Sequence, residues 1–116
     1  MKNKIGNEVR LYHILDAIKD IEIFLKGADY KKYESDKMTQ SACIHQLQII
    51  GEAANHFSDE FINEHKEIEW AEIVGLRNLL IHEYFGIDIR IVWQVIQNDL
   101  PRLKTNIQKI LKEISS

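Results

Sequence analysis

The chain has 116 residues, 45% hydrophobic and 28% charged, which fits one domain, residues 1–116, able to bury roughly two-thirds of its unfolded surface. A net charge of −3 and a pI near 5.9 argue against a protein that coats nucleic acid through an overall positive field, while leaving room for a local basic cleft. No apolar run nears the ~18 residues of a membrane span, the start MKNKIGNEVR lacks the apolar core of a signal peptide, and the single cysteine, Cys43, has no partner for an internal disulfide; the expected location is a reducing cytoplasm.

Helical spacing runs through the chain, and no segment alternates with the period of a strand. From Glu8 to Lys26, a stripe of Leu11, Leu15, Ile18, Ile21 and Leu25 predicts a first helix with Glu22 at its edge and Gly27 as its stop. The polar stretch 27–36 reads as a connection. A second helix is expected from Asp36 to Thr39, both credible N-caps, to about Phe57, with Cys43, Leu47, Ile50, Ala54 and Phe57 on its buried face. The small residues of IIGEAA, 49–54, would let another helix approach closely. Residues 59–69 are polar, with room for a short helical turn.

A third helix is expected from Trp70, with Gly86 as its stop and Asp88 as the N-cap of the last one. That last helix carries Ile89, Val92/Trp93, Ile96, Leu100, Leu103, Ile107, Ile110 and Ile114 at alternating steps of three and four. Pro101 lies inside the pattern and should kink or split it near Gln97 to Leu100. Lys104, Lys109, Lys112 and Arg102 make this segment locally positive, and read as a solvated face. The expected fold class is all-α: an antiparallel bundle of four main helices, with a short fifth allowed for.

The third helix holds RNLLIHEYFG, 77–86. On a wheel of about 100° per residue, Trp70, Ile73, Val74, Leu80, Ile81 and Tyr84 form one broad arc with Arg77 near its middle. A guanidinium stays charged, so placing it there requires a carboxylate, a phosphate or water in a cleft. His82 falls about 140° from Arg77, nearer Asn78. Arg77 could reach round, the helix could loosen before Gly86, or a second copy could complete the site; a symmetric dimer would bring two copies of both side chains toward one axis.

Histidine titrates near neutrality and serves as general acid or base. Arginine forks onto phosphate and stabilises charge that grows in a transition state. Together they suit RNA cleavage by its own 2′-hydroxyl, with no metal or other cofactor, leaving a 2′,3′-cyclic phosphate. Structural roles account for the same residues: an Arg77 ion pair with a glutamate such as Glu52, a surface His82, an Asn78 bonded to backbone, and a core Tyr84 with its hydroxyl at the rim.

RNLLIHEY resembles the R-x-x-x-x-H-x-Y signature of HepT-type proteins in the HEPN superfamily. The likeness extends in order and spacing over QLQIIGEAA (46–54), IEWAEIVGLRNLLIHEYFGID (68–88) and IVWQVIQNDLPRL (91–103), covering essentially the whole chain. The resemblance implies an all-helical homodimer with two motifs facing a shared cleft. It also implies a metal-independent endoribonuclease toxin paired with a MntA-type minimal nucleotidyltransferase antitoxin. Arg77 and His82 then match the catalytic pair, Asn78 the polar residue after the arginine, and Tyr84 the tyrosine that the antitoxin adenylylates. Gly51 and Glu52 match a Gly-Glu pair of the second main helix, with Glu52 expected to brace the site, for instance by meeting Arg77.

Two other functions compete. A non-catalytic module could dock a nucleotidyltransferase and present nucleotide or RNA to it, with Arg77 on phosphate. A metal enzyme in a helical bundle is disfavoured, because no histidine has a glutamate three residues before it and HEYFG lacks the second histidine of a zinc-protease helix. Glu52 and His56 share a face at four residues' spacing, which suits an ordinary side-chain pair.

Overall fold

A computed structural model describes residues 4–82 and 86–115, without the side chains of Lys4, Ile5, Leu79, Ile81 and His82. The described residues are all-helical or in connecting turns, as the spacing predicts. Helix α1, Lys4–Phe24, buries Leu11, Leu15, Ile18 and Ile21, and also Ile14 and Ala17, so its inward arc is wider than the predicted stripe. Glu22 marks the edge: its half-exposed carboxylate accepts from Lys104 Nζ at 3.0 Å. Gly27 adopts φ 75°, the left-handed turn that a side chain would strain, and there the chain leaves the helix.

The stretch 27–36 is more than a connection. It holds a one-turn helix, α2 (Tyr30–Glu34), capped by Asp29, whose carboxylate accepts from the Lys32 amide at 2.9 Å. Tyr33 is fully buried, donates its hydroxyl to the Ile89 carbonyl at 2.9 Å and packs its ring 5.0 Å from that of Trp93. Desolvation there raises its pKa well above the ordinary phenol value. Polar neighbours conceal this core residue in the sequence, because its partners lie on the far end of the chain.

Of the two N-caps foreseen for the next helix, α3 (Lys37–Ala54), Asp36 is the one used. Its carboxylate accepts from the Thr39 amide at 3.1 Å and the Thr39 hydroxyl at 2.8 Å, which together hold it below the usual carboxylate range. Cys43, Leu47, Ile50 and Ala54 are buried along α3, followed by Phe57. Ser58 caps α4 (Asp59–Glu64) by accepting from the Phe61 amide, and exchanges two hydrogen bonds with the buried Asn7 of α1. Phe57, Phe61 and Trp70 form an aromatic cluster that leads into α5 (Trp70–His82). The stop expected at Gly86 follows three residues outside the described set.

Asp88 caps α6 (Ile89–Gln94), as its position predicts, accepting from the Arg90 amide at 2.9 Å. The predicted disturbance around Pro101 is a π-helical turn, Val95–Asp99, which joins α6 to α7 (Leu100–Ser115). Proline has no N–H for the Gln97 carbonyl and would crowd it. The wider turn, closed by the Leu100 amide on the Val95 carbonyl, relieves that conflict just ahead of the ring. Val92, Ile96, Leu100, Leu103, Ile107 and Ile110 all stay buried across it. Helix α3 packs against both α1 and α5, and α7 packs on α1. That central position of α3 puts its Gly51–Glu52 pair against Arg77.

Candidate active site

The site begins with a close approach of two helices. A Cβ added to Gly51 would overlap the Arg77 Cβ, and would lie 2.8 Å from its Cγ and 3.1 Å from its Cα. Glycine is therefore required where α3 crosses α5, as the small residues of IIGEAA suggest. The next residue, Glu52, is thereby placed beside the guanidinium. Its Oε2 accepts from Arg77 Nη2 at 2.6 Å, while Arg77 Nη1 donates to Asn78 Oδ1 at 2.9 Å. Arg77 Nε is buried, with no hydrogen-bond partner among the described residues.

The pair differs from a sealed core ion pair. The Arg77 side chain keeps 25% of its surface exposed and that of Glu52 keeps 49%. The Arg77 side chain is thus held by two partners and still partly open to solvent. The other oxygen of Glu52 meets His56 Nε2 at 2.9 Å, one turn along α3. The His56 hydrogen bond first, then the hydrogen bond and charge of Arg77, keep the Glu52 carboxyl below its usual range. Glu52 therefore braces Arg77 and ties His56 to it. From α3, Gln48 donates to the Leu80 carbonyl at 3.4 Å and ties α3 to α5 one turn beyond Arg77. Gln48 carries no motif of its own in the sequence; its signal is its position one turn before Gly51 and Glu52 on the same helix.

Arg77, Asn78, Gly51 and Glu52 are thus brought together. His82 ends α5, but its side chain is outside the described set, and so is Tyr84 altogether. Among the described residues no three His, Cys, Asp or Glu side chains converge in a way that would hold a metal ion. No described helix is long and apolar enough to cross a membrane.

Comparison with known proteins decides the family, because a model described as "Ribonuclease HepT-like" matches residues 14–110. The chain belongs to the HepT-like ribonuclease family. It is 40% identical to the "Probable ribonuclease HepT" of Thermococcus cleftensis over 102 residues, 88% of this chain and 93% of that protein. A Methanocaldococcus jannaschii protein named as a candidate RNase is 40% identical over 98 residues, covering 84% of this chain and 90% of its own. A second such protein of the same organism is 38% identical over 104 residues, covering 90% and 86%. No solved structure gives a significant match. The HepT-like match encloses the whole α3–α5 crossing, so Gly51, Glu52, Arg77 and Asn78 all lie within the region that defines the family.

Proposed function

We propose that this chain is a metal-independent endoribonuclease, acting as the toxin of a HepT/MntA-type toxin–antitoxin pair. Its fold would be a HEPN-type antiparallel bundle of four main helices that pairs as a homodimer. The observation that carries the reading is Arg77: its guanidinium is fixed by Glu52 and Asn78, a quarter of its side-chain surface stays exposed, and it shares a helix with His82. His82 takes the proton of an RNA 2′-hydroxyl, and that oxygen attacks the adjacent phosphorus. Arg77 stabilises the charge on the non-bridging oxygens as the bond to the 5′-oxygen breaks. The partner copy's imidazole returns a proton to the leaving oxygen, and the products are a 2′,3′-cyclic phosphate and a 5′-hydroxyl. Glu52 repels phosphate unless its charge is occupied; His56 and Arg77 engage its two oxygens while the remaining Nη protons of Arg77 meet the substrate.

The test is RNA cleavage by the purified protein in EDTA, with product ends determined. Cyclic phosphate ends are expected, and His82→Ala should lower turnover by at least about 100-fold, with unchanged melting. Full activity in that variant would remove His82 from the mechanism. A protein that binds a nucleotidyltransferase yet never cuts RNA would instead be the non-catalytic module.

The proposal extends to regulation at Tyr84. With the antitoxin and ATP present, the chain should gain the mass of one or more AMP units on Tyr84. Anionic phosphate and bulk two residues from His82 would obstruct an RNA backbone. Label on another residue, with Tyr84 untouched, rejects this part.

A further inference from the structure

We infer that the groove between α1 and α3 is a binding track for single-stranded RNA, leading away from Arg77; the inference deepens the ribonuclease reading and rests on it. The groove encloses about 580 Å³, and Val9, Arg10 and His13 of α1 face Ile49, Glu52 and His56 of α3 across it. It is continuous with the candidate active site, because Glu52 lines it and also holds Arg77.

Three observations set its ligand class. The first is charge. Arg10, His13 and His56 line the groove with one carboxylate, that of Glu52, which already accepts from both Arg77 and His56. Arg10 has no ion pair among the described residues. A chain of net charge −3 thus keeps a local strip of cationic and imidazole donors beside the candidate active site, where a polyanion needs it. The second is the apolar surface of Val9 and Ile49 between those donors. Val9 is 46% exposed, and one turn along α1 Tyr12 exposes 47% of its surface. Apolar patches between cationic and imidazole donors in the groove, with an exposed ring on α1 beside it, suit unstacked bases on a phosphate backbone.

The third is the contrast with a second hollow, about 350 Å³, between α5 and the last helix. Glu67, Glu69, Glu72 and Asp99 crowd its lining against one arginine, Arg102. A hydrogen bond with Glu69, and then the charge of that carboxylate, raises the pKa of Glu72. A phosphate chain is excluded there and accommodated in the α1–α3 groove.

The experiment measures affinity for a labelled single-stranded RNA of about a dozen nucleotides in the non-cleaving His82→Ala protein, across a salt series. Adding Arg10→Ala and His13→Ala should weaken binding by about 10-fold or more and flatten the salt dependence. Arg10→Lys with His13 intact should retain most of the affinity, which separates lost charge from a damaged helix. Unchanged affinity in the double variant overturns the inference. So does unchanged affinity accompanied by a shift to monomer in sedimentation, which would assign the groove to contact between copies. Failure of the parent protein to cut RNA would count against the ribonuclease reading and leave this binding result to stand by itself.

Discussion

Arg77→Lys is expected to lower RNA cleavage by at least about 100-fold while leaving the melting temperature close to that of the parent. The contact with Gly51 involves Cα, Cβ and Cγ, which both residues possess, so the helix crossing is kept. What is lost is the fork. Arg77 spends Nη2 on Glu52 and Nη1 on Asn78, at 2.6 Å and 2.9 Å, and these two bonds fix the plane in which its remaining donors point. A lysine ammonium meets Glu52 as a point charge and fixes no plane. Turnover and melting of the two proteins check this directly; a lysine variant with full activity would show that oriented donors are not required.

The pH dependence follows from Glu52. Its folded pKa is depressed, by His56 first and then Arg77, so the pair's stabilisation is present above the unfolded glutamate value of about 4.3. It is lost as the pH falls through the lower, folded value. At neutral pH the brace is therefore fully formed. Its side chains are too exposed for it to add much stability, so its effect belongs to orientation.

Gly51→Ala should destabilise the fold by about 1–3 kcal/mol, the cost of overpacking a tight contact, and lower the melting temperature by several degrees. The added methyl has nowhere to go, because the atoms it meets are the Cα, Cβ and Cγ of Arg77 and not the end of a flexible side chain. To relieve the overlap, α3 and α5 must separate, and Glu52 and Gln48 lose their distances to Arg77 and Leu80 together. Cleavage should fall with stability. Gly75 is the internal control: it lies on the same helix, exposed, with nothing within 4 Å of an added Cβ. Gly75→Ala should stabilise by about 0.5–1 kcal/mol through helix propensity alone. Calorimetry on both variants checks the opposite signs; a neutral Gly51→Ala would mean that the crossing is looser than its geometry requires.

Much of this architecture is legible from spacing. The buried faces of α1, α3 and the last helix follow the three-and-four rhythm of their apolar residues, since burial along one helix is a local pattern. Tyr33 is not legible in the sequence, because its burial depends on Ile89 and Trp93, whose proximity no local pattern encodes. In the site, the oddity of Arg77 within an apolar arc signals a partner, and the small residues before Glu52 signal a close crossing. That Glu52 divides its two oxygens between Arg77 and His56 depends on side-chain rotamers, and needs coordinates. Arg10 and His13 gave no signal, since a cation on a solvated helix looks the same whether or not a groove runs beside it.

The π-helical turn ahead of Pro101 has a consequence for how the last helix tolerates insertion and deletion. One surplus residue is stored between Val95 and Asp99, and it sets the rotational phase in which all of α7 meets α1. Excising a residue there would restore ordinary pitch but swing Leu103, Ile107 and Ile110 about a quarter-turn toward solvent. The irregular turn thus works as a phase adjuster, and α7 depends on it for its seat.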